Sequence, residues 1–168
     1  MQLLERVKNC NGCGACVVPC KQIAVRMYDR DSREAIEVLE KFKETQPMEG
    51  KKRVAVVQEG ACDRCNACVL YCPIFNPVEL PVFDEWYEFS DDLDDRDMPG
   101  LYRKTLRSAR AGKHTEFIGT LCEIAALKSL NGDKISNNLI LKPLACTMEK
   151  RDSEPVCREC MFYGKGDK

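Results

Sequence analysis

Cys10, Cys13, Cys16 and Cys20 are followed by Cys62, Cys65, Cys68 and Cys72, one spacing used twice. As a pattern this is C-x2-C-x2-C-x3-C in duplicate. Thiolates three residues apart can wrap three corners of an iron–sulfur cubane while the fourth cysteine aims elsewhere. The pattern therefore predicts a chain that bends tightly around [4Fe–4S] groups and moves electrons singly. It also predicts a small fold that takes much of its stability from ligation. Twelve cysteines in 168 residues have another use, a disulfide framework. Three features oppose that use. Met1 leads into Gln-Leu-Leu-Glu-Arg with no apolar stretch of the secretory kind. No segment approaches the roughly 18 apolar residues of a membrane span. C-x2-C spacings in a cytoplasmic chain read as metal or redox sites. The localisation expected is cytoplasmic.

Hydrophobic residues make up 44% of the chain, enough for a core, while the formal charge is −1. Each oxidised, thiolate-ligated [4Fe–4S] group adds roughly −2, so two would bring the protein to about −5 and three to about −7. No nucleic-acid footprint and no anionic-membrane patch is visible in the sequence.

Gly12 and Gly14 lie between ligands of the first run, where backbone passes close to a metal group. Residues 31–45 predict a helix. Asp31 and Glu34 form a candidate capping pair, and Ala35, Ile36, Leu39 and Phe42 form an apolar face. Glu37 and Lys41 are an i,i+4 pair, and Pro47 and Gly50 end the helix. Arg53–Gln58 reads as a strand. In all, 41 residues separate Cys20 from Cys62, an insertion that either docks a partner or shields the metal groups.

After Cys72-Pro73 the composition changes. Residues 84–97 hold eight acidic residues and one arginine among Trp86, Tyr87 and Phe89. Residues 103–113 hold five basic residues and no acidic one. The two blocks either pair with each other or form a charged docking face, and the aromatics must be pinned to this chain or to a partner. Residues 116–131 predict an amphipathic helix ending at Asn131-Gly132. A strand follows at 138–142, ended by Pro143.

Four cysteines remain: Cys122, Cys146, Cys157 and Cys160. Four is the ligand number of a third [4Fe–4S] cluster or a structural zinc, and thiols without metal are the remaining reading. His114 reads as a solvated histidine. No Ser/His/Asp or Cys/His grouping, phosphate loop or dinucleotide fingerprint occurs.

The stretches Cys-Asn-Gly-Cys-Gly-Ala-Cys at 10–16 and Cys-Asp-Arg-Cys-Asn-Ala-Cys-Val-Leu-Tyr-Cys-Pro at 62–73 resemble the two-cluster bacterial-type ferredoxin domain, over about 40% of the chain. That resemblance implies crossed ligation: Cys10, Cys13 and Cys16 with Cys72 for one cluster, and Cys62, Cys65 and Cys68 with Cys20 for the other. Ligation of each cluster within one run is the alternative if the insertion separates the halves. Lys21 stands where the second run has Pro73, either near a cluster, raising its potential, or in water. Gly100-Leu-Tyr102 and Ala126-Leu…Asn131-Gly132 are similar to the coenzyme F420 hydrogenase/dehydrogenase beta-subunit family. Only 36 residues follow Gly132, too few for that family's flavin pocket. In plan the chain also resembles iron–sulfur subunits of anaerobic oxidoreductases.

The fold expected is α+β. A ferredoxin-like domain spans 1–80 with an insertion at about 23–58. An acidic aromatic linker follows at 81–100, then a small, mainly helical lobe at 101–168. The function expected is electron relay between a larger catalytic oxidoreductase subunit and a redox carrier, with no catalysis by the chain alone. A free diffusible ferredoxin and a remnant of an F420/flavin-type oxidoreductase are the alternatives.

Overall fold

In the computed structural model the described residues are 10, 12–29, 31–41, 53–88, 96–132 and 137–145. They form a mixed α+β structure with two separate two-stranded sheets. After a 3-10 turn at Ala15–Val17 come β1 (Val25–Asp29), α1 (Arg33–Lys41) and β2 (Arg53–Val57). A second 3-10 turn, Glu59–Ala61, leads to the short helix α2 (Ala67–Leu70). The remainder is α3 (Met98–Arg110), β3 (Thr115–Gly119), α4 (Leu121–Asn131) and β4 (Leu139–Pro143).

β1 and β2 are antiparallel, from Val25 opposite Val57 to Asp29 opposite Arg53. Their β-branched residues suit a pleated surface with one face covered. Ala35 of α1 is fully buried against Val54, Val56 and Tyr28. The insertion is therefore a strand–helix–strand excursion that returns to its starting point. Gln58 N donates to Ala24 O at 2.8 Å and ties its base.

The structure corrects the expected start of α1. Ser32, not Asp31, caps the helix: its Oγ accepts from Ala35 N at 3.3 Å. With Arg33 as the first helical residue, Ser32 stands three before Ala35, the spacing a cap requires. Ile36 was expected on the buried face but is 42% exposed, because the small Ala35 makes the contact with the sheet. Arg33 Nε meets Glu37 Oε1 at 2.7 Å. Phe42, Pro47, Gly50 and the side chains of Leu39 and Lys41 lie outside the described residues.

The helix expected over 116–131 is two elements. Residues 115–119 form β3, with Phe117 and Gly119 buried between exposed Glu116 and Ile118. α4 begins only after Thr120, whose N–H donates to Glu123 Oε2 at 2.8 Å in a capping box. A Cβ on Gly119 would lie 2.8 Å from Phe117 Cε1 and 2.9 Å from Glu123 Oε2, so the strand must end in glycine. β3 and β4 are parallel, Thr115 opposite Leu139 through Gly119 opposite Pro143, with α4 as the crossover. The lobe expected to be mainly helical thus contains a parallel β-α-β unit.

α3 begins at Met98, inside the stretch read as a linker. Asp97 caps it, its carboxylate accepting from Gly100 N at 3.2 Å, with Pro99 in the first turn. The aromatic segment before it is pinned to this chain. Tyr87 N donates to Pro143 O at 2.9 Å and Ala145 N to Tyr87 O at 2.8 Å, extending the sheet by one parallel bridge. Trp86 stacks edge-on with Phe83, ring centroids 6.0 Å apart, and both pack on Leu121 and Ala125. Phe89 lies outside the described residues.

Arg96 joins these parts. Its guanidinium donates to Ile118 O at 2.8 Å and to Glu123 Oε2 at 3.0 Å, and both side chains of the pair are less than one-fifth exposed. Replacing Glu123 by Ala removes a helix cap and takes the carboxylate from the largely buried Arg96 guanidinium. A loss of about 2–4 kcal/mol is expected in chemical denaturation. Glu116→Ala breaks the solvent-exposed bridge to Lys142 and should move the denaturation midpoint far less.

Candidate metal centre

The two cysteine runs adopt one backbone shape. Gly12 and Gly14 are left-handed, with φ of 73° and 76°. In the second run the equivalent positions are Arg64 and Asn66, with φ of 58° and 59°. Ala15 and Ala67 then open the 3-10 turn and α2 respectively. Left-handed backbone costs a non-glycine residue roughly 1–3 kcal/mol, and asparagine least. Arg64 holds that conformation although nothing in its chemistry favours it, so the second run's geometry is imposed by its surroundings.

The runs also meet. Cys20, at the end of the first, lies in one apolar group with Cys62 and Cys68 of the second, beside Val25 and Val57. Cys16 belongs to the same group. The β1–β2 pairing produces this meeting, because it brings Ala24 next to Gln58. Backbone amides point at sulfur: Ala24 N donates to Cys20 Sγ at 3.2 Å and Arg64 N to Cys62 Sγ at 3.4 Å. Asp63 Oδ1 accepts from Cys65 N at 3.1 Å, closing the second run's first turn.

The environments differ. Cys13 is buried in the main core with Met98, Tyr102, Leu106, Phe117 and Ile124. Cys65, its counterpart, is exposed. Tyr102, fully buried, donates its hydroxyl to Cys13 O at 2.8 Å. Cys10, Cys16, Cys20, Cys62 and Cys72 are half-buried. Pro73 is buried behind Cys72, while Lys21, at the matching place in the first run, is exposed.

Burial pushes the Cys13 thiol well above its ordinary value of 9.0. An N–H from Ala15 opposes the shift, and the charges of Cys16, Cys122 and Cys10 add to it. Cys122 thus belongs to the surroundings of the first run. It sits in the first turn of α4, its Sγ 3.1 Å from Thr120 Oγ1. Cys146, Cys157 and Cys160, expected with it as ligands of a third site, lie outside the described residues. His114 is exposed, as a solvated histidine should be.

Among the described residues, no three His, Cys, Asp or Glu side chains converge as a single ion would require. A cubane spreads its thiolates over separate iron corners, so its ligand sulfurs stand farther apart than those around one ion. The donor set fits such a group in three respects. It offers eight thiols in two equivalent turns, backbone N–H groups directed at sulfur, and apolar cover.

Sequence reasoning did not single out Arg64, Asn66 or the Tyr102 hydroxyl. Aligning the two runs residue by residue would have revealed the first two, since Gly12 and Gly14 fall on them. Compared with known families, curated proteins and solved structures, the chain matches none.

Gly12→Ala should cost about 1–3 kcal/mol, because its Cβ would lie 2.9 Å from Arg53 O on a left-handed backbone. Arg64→Gly should leave the melting temperature unchanged or raise it. Thermal denaturation of both variants beside the parent checks this. A second expectation concerns pH. A thiol whose value is raised on folding contributes stability below its unfolded value, and that stability is lost as the pH climbs past it. The metal-free chain should therefore weaken progressively above about pH 9, read as a falling denaturation midpoint, and Cys13→Ala should flatten that fall.

Proposed function

We propose that the chain is an electron-transfer protein with a two-cluster, ferredoxin-like core, acting as the iron–sulfur subunit of a larger oxidoreductase. Bound there, two [4Fe–4S] clusters would supply the one-electron chemistry. The observation that carries this reading is the duplicated turn: one cysteine spacing, the same two left-handed positions in each copy, and Cys20 gathered with the second run.

Cys10, Cys13 and Cys16 would hold one cluster with Cys72, and Cys62, Cys65 and Cys68 the other with Cys20. The amides of Ala24 and Arg64 donate to cysteine sulfurs and stabilise negative charge there, which favours the reduced state. The core around Cys13 keeps water from the first site. Exposed Cys65 leaves the second open to solvent. Thiols kept reduced for metal suit a cytoplasmic setting. Among the described residues, no helix is long and apolar enough to cross a membrane.

A catalytic subunit and a redox carrier are the partners this role requires. Support comes from the surface beyond the core. A lobe of two helices and a parallel sheet is packed on the first run.

Anaerobic purification with metal and sulfide analysis tests the reading. About eight irons and eight sulfides per chain, visible absorption bleached by dithionite, and a co-purifying larger subunit are expected. Zinc in place of iron, or colour that dithionite does not bleach, would sink it. A lone chain near 19.1 kDa with intact clusters would instead make this a diffusible carrier. Ligand pairing has its own check by paramagnetic resonance of the reduced protein. Cys20→Ser and Cys65→Ser should abolish the same signal, and Cys13→Ser the other. Loss of one signal in both Cys20→Ser and Cys13→Ser would mean that each run closes on itself.

A further inference from the structure

The exposed side of α3 is basic. Arg103, Lys104, Arg107 and Arg110 lie on it, Lys113 follows, and all five are exposed. No Asp or Glu occurs from Met98 through Thr115. Among the described residues, none of the five makes an ion pair. The helix macrodipole favours cations in the last turn, which accounts for Arg107 and Arg110. It does not account for Arg103, Lys104 or Lys113.

Arg103 fixes where this face lies. Its Nη2 donates to Val17 O at 3.2 Å, one residue beyond Cys16. Pro99, in the first turn of the same helix, packs so closely on Gly14 that a Cβ there would be 3.0 Å from its Cδ. The basic stripe thus begins at the first cysteine run and continues one helical turn at a time through Arg107 and Arg110.

We propose that this face of α3 docks an acidic protein electron carrier against the first cysteine run. The proposal rests on the electron-transfer reading above. Charge complementarity selects the occupant. Guanidinium forks recognise carboxylates, and a field of one sign beside the redox site speeds encounter with a partner of the other sign. The face lacks an apolar centre, as befits a transient, salt-sensitive complex. One electron crosses: the carrier is oxidised by one electron, the chain's first site is reduced by one, and no bond or proton moves.

The test uses the full, cluster-loaded chain in anaerobic stopped flow, with an acidic flavodoxin in its hydroquinone form as the probe. Loss of one electron turns the anionic hydroquinone into the neutral blue semiquinone, which is followed directly. The second-order rate constant should fall at least about tenfold between roughly 50 and 500 mM salt. The variant Lys104→Gln/Arg107→Gln/Arg110→Gln keeps the Arg103 bond to Val17. It should lower the low-salt rate about tenfold and flatten the salt dependence, with cluster absorption and far-UV dichroism unchanged. Reduction by methyl viologen radical, a small cation, should not slow in the variant. A parent rate insensitive to salt, or a variant as fast as the parent with clusters intact, overturns the proposal. So does a variant that loses affinity for a nucleic-acid duplex while its flavodoxin rate is unchanged. Absence of iron–sulfur absorption in the parent is a different failure, that of the electron-transfer reading itself.

Discussion

Everything around the cysteines depends on the pairing of β1 with β2. Closing 41 residues into a loop costs on the order of 3 kcal/mol in chain entropy, before any ordering inside it. Five register pairs, the Gln58–Ala24 bond and the Ala35 contact offset that cost. The result is local: Val25 and Val57 sit opposite each other at the base of the hairpin, and the cysteines just outside it become neighbours. Without the pairing the two runs would be separate turns joined by a tether, and Cys20 would have no reason to lie with Cys62 and Cys68.

The second organising contact is between the first run and the C-terminal lobe. Tyr102 bonds the Cys13 carbonyl, Pro99 occupies the space over Gly14, and Arg103 holds the Val17 carbonyl. All three come from α3, whose buried side continues into Phe117 of β3 and Ile124 and Leu127 of α4. The lobe is thus built outward from the first run and leaves Cys65 of the second exposed, while Cys68 is buried beside Val25 and Val57. Two copies of one sequence pattern end in unlike environments because only one of them has a helix laid across it.

The cysteine spacing made the repeated turn legible, and Gly12 and Gly14 stood out between its cysteines as close-approach positions, their left-handed backbone emerging only in the structure. The strand at 53–57 was legible from its valines and the one at 139–143 from a short apolar run ended by Pro143, but the parallel pairing of the latter with β3 was not. β3 was not, because Phe117, Ile118, Leu121 and Ile124 satisfy helical periodicity across a real boundary. The deciding signal was polar: Thr120 and Glu123 stand in capping-box spacing behind a glycine. α3 was hidden by its charge, since a helix that buries Tyr102, Leu106 and Ala109 beneath four cations reads as a basic patch. The Tyr87–Leu144 bridge and the Arg96–Glu123 pair join residues 57 and 27 apart in sequence, and no local pattern announces them.

The electrostatics of the first run bear on how such a site is filled. Cys13 lies in a dry core within reach of the charges of Cys10, Cys16 and Cys122, so its thiolate is doubly disfavoured. At neutral pH the metal-free fold keeps that proton and gives up little stability by doing so. On the iron–sulfur reading, a metal group would displace it, and the charge it brings would replace the compensation that water would have given. On the iron–sulfur reading, the hairpin and the α3 contacts can form first, and ligation then exchanges protons for metal at a site already shaped. On that reading the buried, crowded thiol of Cys13 is what separates those two steps.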